Sequence, residues 1–305
     1  MSVSVVLKNS CSTTGEGPHW DDASQSLLYV DIIAGDVHRW NSATGEDQKL
    51  HMQGGEATLI VPSSTGGYIV SVGSTLGHLD WDTNTYTKFA EVDEGKNNRF
   101  NDGKCDPKGR LWAGTMGREV RPAEPEMGAG SLYTLDKQKK VVSHLSGLNI
   151  SNGLAWTEDN RTMFFIDSLP GNIFAYDYDL EHGTINTGSK RVVMNFGDGK
   201  TNHHGLPDGM TIDTEGKLWV ACYSKGKIIR VDPETGKVLK EVSVPNASRT
   251  TSCCFGGKNL DELYITCARS GVTDEEFKTT ESLAGSVFKV TGLGVKGKPA
   301  YVFQA

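Results

Sequence analysis

Asp106–Thr115 reads DPKGRLWAGT, and the same word returns in altered form as DTEGKLWVAC at Asp213–Cys222. In both, an acidic residue opens a polar, glycine-containing turn that leads into a strand-forming run. Weaker copies stand at Asp21–Asp31 (DDASQSLLYVD), Glu158–Asp167 (EDNRTMFFID), Ser63–Val72 (SSTGGYIVSV) and Lys258–Cys267 (KNLDELYITC). Each copy is followed by a second strand-like word, such as GDVHRW, GSLYTL or GKIIRV. Six copies in 305 residues give a period of about 51, and the two best copies start 107 residues apart, close to two periods. No long stretch keeps a 3.6-residue apolar period. Four-stranded units repeated at this length predict an all-β fold, a six-bladed β-propeller, whose radial closure leaves only short sheet edges. A sandwich pair would not show six copies, and a linear solenoid would carry polar capping repeats. With no linker or composition break inside the chain, residues 1–305 are expected to form one propeller domain.

Composition agrees with a turn-rich fold. Glycine makes up 36 of 305 residues without a collagen-like period. The net charge of −7 and the lack of a basic stripe argue against nucleic acid or an anionic membrane as partner. The basic run Lys137–Lys140 (KQKK) reads as a solvated hairpin turn. No run approaches the roughly 18 apolar residues of a membrane span, and the first residues carry no signal-peptide pattern. The six cysteines show no CxxC spacing, and several sit in apolar strand words, as reduced buried thiols do. A cytoplasmic, reducing setting is therefore expected, for a monomer or weak dimer.

The repeat also exposes what is not structural. Asn101 and Asp208 each lie 11 residues before the tryptophan of their copy, Trp112 and Trp219. Asn152 lies 12 before Phe164, and Glu16 lies 12 before Leu28. Four of six repeats thus put a side-chain oxygen at one point of the blade, in the words GEGPHW, RFNDGK, SNGLAW and PDGMTI. As isolated residues these would be turn formers, since Asn and Asp bond locally to backbone and often precede Gly. Four coincident registers instead predict oxygen donors converging on the channel axis, a cage for a hard cation such as Ca²⁺, Mg²⁺ or Mn²⁺. The matching positions near Thr58 and Ser252 offer at most a hydroxyl, which leaves the ring open to water or substrate.

Other chemistries find less support. No G-x-S-x-G elbow or phosphate-binding glycine loop is present. His203 and His204 are adjacent, so in an extended segment they point to opposite faces, and a rim position is expected. His19 is either a neighbour of the site or core packing. Cys253 and Cys254 open an apolar strand and read as inert. Trp20, Trp112, Trp156 and Trp219 recur at blade positions and read as packing between blades.

The words GEGPHWDD, KNNRFNDGKCDPKGRLWAGTM, ISNGLAW, PDGMTIDTEGKLWVACY and TTSCCFGGKNLDELYITCAR resemble the regucalcin (senescence marker protein) group of the gluconolactonase family, over about residues 11–298. Firefly luciferin-regenerating enzyme belongs to the same family. The resemblance implies a six-bladed propeller holding one divalent metal through Glu16, Asn152 and Asp208, with Ca²⁺ foremost and Zn²⁺, Mn²⁺ or Mg²⁺ as alternatives. It further implies substrate contacts from Arg99, Asn101 and Glu119, a sugar lactone as substrate, and metal-assisted ester hydrolysis with Asp208 as proton acceptor. Two segments depart from the family pattern: GTMGREVRPAEPEMGAG, which brings in Arg118 and Arg121, and GDGKTNHHGLPDG before Asp208. Alternatives within this fold are a non-catalytic calcium-binding regulator and a luciferin-regenerating, aryl-ester or organophosphate hydrolase.

Overall fold

The structure, a computed structural model, describes residues 1–121, 124–197 and 203–305. Its strands form six four-stranded antiparallel sheets and one short hairpin, Glu119–Arg121 with Glu124–Pro125. Each sheet is one blade of a six-bladed β-propeller. The innermost strands are Gly15–Asp21, Ala57–Pro62, Arg99–Cys105, Ser151–Trp156, Leu206–Ile212 and Thr250–Gly256. Each touches the next, and the last returns to the first, so the ring is closed.

Closure of the ring was not legible in the repeat. The outer strand of the sixth blade is Ser2–Leu7 from the chain's start, paired antiparallel with Val287–Thr291. The first and last parts of the chain therefore share one sheet.

The repeated word has a physical cause. Asp106 is fully buried and accepts from Trp112 Nε1 (3.3 Å), Arg110 Nε (2.7 Å) and the Tyr178 hydroxyl (2.6 Å). Asp213 repeats the role with Trp219 Nε1 at 2.9 Å and Arg230 Nε at 2.7 Å. A buried carboxylate is tolerated when such donors satisfy it.

Six apolar clusters make up the core, and each is shared by two neighbouring blades. The tryptophans sit in these seams: Trp20 stacks on Tyr264, Trp112 meets Trp156 edge-on, and Trp219 meets Phe255 edge-on. Two glycines set how close the inner strands come. A Cβ on Gly209 would lie 1.9 Å from Ser252 Oγ, and one on Gly153 would lie 2.7 Å from the Met210 nitrogen. The Lys137–Lys140 run forms the exposed turn between Gly130–Leu135 and Val141–Leu148, as expected. The single helix among the described residues is Asp274–Lys278. No helix among the described residues is long and apolar enough to cross a membrane.

Candidate metal and substrate site

Every innermost strand carries the same irregularity. Its ladder with the second strand shifts register within a residue of Glu16, Thr58, Asn101, Asn152, Asp208 and Thr251. A bulge leaves residues outside the ladder and re-aims their side chains. Of the polar positions picked out by repeat spacing, Thr58, Asn101, Asn152 and Asp208 lie in the bulge of their blade, and Glu16 is the last paired residue before it. In the sixth blade the matching residue is Thr251 and not Ser252, which the repeat had suggested. The bulge there displaces one residue fewer, and Thr251 is the one that reaches the cavity.

Glu16, Arg99, Asn101, Glu119, Asn152 and Asp208 all line one cavity of about 250 Å³ at the end of the channel where the innermost strands begin. Glu16, Asn101 and Asn152 are buried, and Asp208 is half-buried. Arg99 joins the group: Nη1 donates to Asn101 Oδ1 at 2.7 Å, and Nη2 donates to Glu119 Oε2 at 3.0 Å. The Asn101 amide donates in turn to the Ser151 carbonyl at 2.9 Å. Asn152 donates to Ser168 Oγ at 3.0 Å, while its Oδ1 is buried and bonded to no protein group.

The carboxylates repel. Burial, then the charges of Asp208 and Asp102, push the Glu16 carboxyl well above the usual range. Burial and the charge of Asp102 do the same to Asp208, against a hydrogen bond from Asn152. Asp102 is itself raised by burial, with Lys104 pulling the other way. Asp102 is the residue that sequence spacing missed. It sits beside Asn101, and the spacing rule chose one residue per blade. The word RFNDGK held the signal, a carboxyl beside the Asn101 amide in the same bulge.

Two mutually repelling carboxyls and an orphaned amide oxygen fit a hard divalent cation, which supplies the missing positive charge and accepts all three oxygens. Among the described residues no three His, Cys, Asp or Glu side chains form a cage, so an ion here would rest on a mixed carboxylate–amide set.

Several expectations resolve elsewhere. His19 is buried and lines the deeper channel, away from the upper cavity. His204 packs edge-on against Phe196, and neither His203 nor His204 lines the cavity. All six cysteines are buried and unbridged. Arg121 lines the cavity on the short hairpin, whereas residues 122–123 of that departure, and 198–202 of the one before Asp208, lie outside the described residues.

Fold and site together define a class: six-bladed propellers with a carboxylate–amide site at one mouth of the channel. This chain belongs to the SMP-30/Gluconolactonase/LRE-like family, whose model matches residues 14–269. It is 48% identical over 290 residues to regucalcin of Gallus gallus, covering 95% of this chain and 94% of that protein. Human regucalcin is 44% identical over 304 residues, covering 99% of this chain and 98% of the relative. Among solved structures, a luciferin-regenerating enzyme superposes with a TM-score of 0.89 at 35% identity, over 100% of this chain and 99% of the other. A calcium-binding protein, regucalcin, from Agrobacterium tumefaciens gives a TM-score of 0.89 at 28% identity, over 100% and 98%.

Proposed function

We propose that the protein is a divalent-metal-dependent hydrolase of sugar lactones, with Glu16, Asn152 and Asp208 as the metal ligands and Ca²⁺ as the foremost candidate. The observation that carries this reading is the unpartnered Asn152 Oδ1 in one cavity with the raised carboxyls of Glu16 and Asp208. A bound cation would supply Lewis acidity to the lactone carbonyl and hold both carboxyls ionised.

The remaining work falls to side chains. Arg99, Asn101 and Glu119 form one hydrogen-bonded unit. Its donors and acceptors would orient the hydroxyls of the sugar ring, which places the carbonyl in a fixed attitude. Asp208 would accept the proton of the attacking water as the new C–O bond forms. The ring C–O bond then breaks, its oxygen takes up a proton, and an open hydroxy acid leaves. Ile32, Met116, Ile150 and Leu206 line the same cavity and would limit competing water. The partner is thus a small lactone. Six buried, unbridged cysteines support a cytoplasmic setting.

The test is acid release from glucono-1,5-lactone with and without EDTA, for the wild type and Asp208→Asn. Metal-dependent release that Asp208→Asn abolishes is expected. Full activity in EDTA would remove the metal from the reaction. Full activity of Asp208→Asn with metal bound would remove Asp208 as the base.

A further inference from the structure

The channel has a second cavity at the end where the innermost strands finish, opposite Glu16 and Asp208. It holds about 80 Å³ and is lined by residues from five innermost strands, at or near the end of four of them and in the middle of Gly15–Asp21, and by the segment 298–301. Its chemistry is the reverse of the upper cavity. Among the described residues Lys104 and Lys298 are the formal charges of its wall and no Asp or Glu lines it, in a chain of net charge −7. Lys104 spends one donor on the Met210 carbonyl at 2.7 Å, and Lys298 pairs outward with Glu158.

Two further wall residues are left unsatisfied. His19 and Trp156 are 7% and 5% exposed, and each keeps a buried ring nitrogen, His19 Nε2 and Trp156 Nε1, that bonds no protein group. A buried donor without a partner is destabilising, and an incoming acceptor would relieve that cost. Trp156 Nε1 can only donate, so what it lacks is an acceptor. Ile212 and Phe255 add an apolar patch.

We propose that this lower cavity is a second ligand site, which takes a short-chain monocarboxylate. The carboxylate faces Trp156, His19 and Lys298, and its alkyl tail lies against Ile212 and Phe255. Since a water occupies about 30 Å³ of liquid, the volume suits an anion of a few heavy atoms. Burial holds His19 near 4, so at neutral pH the ring is uncharged and the lysines supply the charge.

The probe is sodium propionate, titrated calorimetrically into the full-length protein, with propionamide as its neutral counterpart. Saturable binding of propionate is expected, with the amide weaker by about tenfold or more. Trp156→Phe, which keeps the ring and loses the donor, and Lys298→Gln on the surface segment should each weaken propionate about tenfold. Glu16→Gln in the upper cavity should leave it unchanged, and Lys298→Gln should leave lactone hydrolysis unchanged. The proposal is overturned if no saturable binding occurs, if the amide binds as well as the acid, or if Glu16→Gln alters binding while Lys298→Gln does not.

Discussion

Asn152 donates its amide N–H to the Ser168 hydroxyl at 3.0 Å, and this bond fixes the side chain with Oδ1 left bare in the cavity. A neutral ligand of this kind depends on the group behind it for its orientation. Ser168→Ala should therefore weaken Ca²⁺ binding by about tenfold or more, whereas Ser168→Thr, which retains the hydroxyl, should weaken it far less. Calorimetric titration of the two variants checks this. Equal affinities in Ser168→Ala and the wild type would detach Ser168 from the site.

The raised carboxyls make metal-free stability depend on pH. Glu16 and Asp208 hold protons more tightly folded than unfolded. Their contribution to stability is present below the unfolded carboxyl range and is lost as pH rises through the raised folded values. His19 and His144, both lowered by burial to about 4, act in the opposite direction between about 4 and 6.5. Comparison with Glu16→Gln separates the carboxyl from the histidines. In EDTA the wild-type Tm should fall relative to that of Glu16→Gln as pH rises from the unfolded carboxyl range through the raised folded values. Saturating Ca²⁺ should reduce that difference in slope. Parallel Tm profiles of the two proteins without metal would contradict the electrostatic account.

Arg99 binds Asn101 with one nitrogen and Glu119 with the other, a fork that lysine cannot reproduce. Arg99→Lys keeps the charge and should raise KM for a polyhydroxylated lactone by about tenfold, with a smaller change in kcat. Glu119→Gln should act in the same direction. The double variant should lose less than the sum of the two, because the residues act as one unit. Steady-state kinetics on the four proteins gives the coupling directly, and strict additivity would show that the two act separately.

Ring closure depends on Ser2–Leu7 pairing with Val287–Thr291. Deleting residues 1–8 exposes that edge and strips five paired positions. At about 0.5–1.5 kcal/mol per hydrogen bond and about one bond per paired position, a loss of roughly 2.5–7.5 kcal/mol is expected. Urea unfolding measures it. A loss below about 1 kcal/mol would mean that the sixth blade holds without its outer strand.

The sequence carried much of this because a propeller writes its architecture as a period. The DPKGRLW and DTEGKLW words are alike since each must bury an aspartate under a tryptophan N–H. Glu16, Asn101, Asn152 and Asp208 were legible because a bulge falls at one point of every blade, so spacing alone aligned them. Thr251 was missed by one residue because its bulge is shorter, and no local word records that. Asp102 was missed because its significance comes from the charges of Glu16 and Asp208, which stand on other blades.

The amino-acid sequence by itself determined that the chain folds as six repeated β units and which oxygen-bearing residues occupy the special point of each. Those properties are local, set by turn chemistry, strand propensity and spacing. Tertiary structure decided that the chain's first strand completes its last blade and that three carboxyls repel within one channel. It also decided that Asn152 is left with an unpaired oxygen and that the far mouth is walled by lysines. These depend on distances between residues far apart in the chain, and electrostatics and hydrogen bonding act only once those distances are closed.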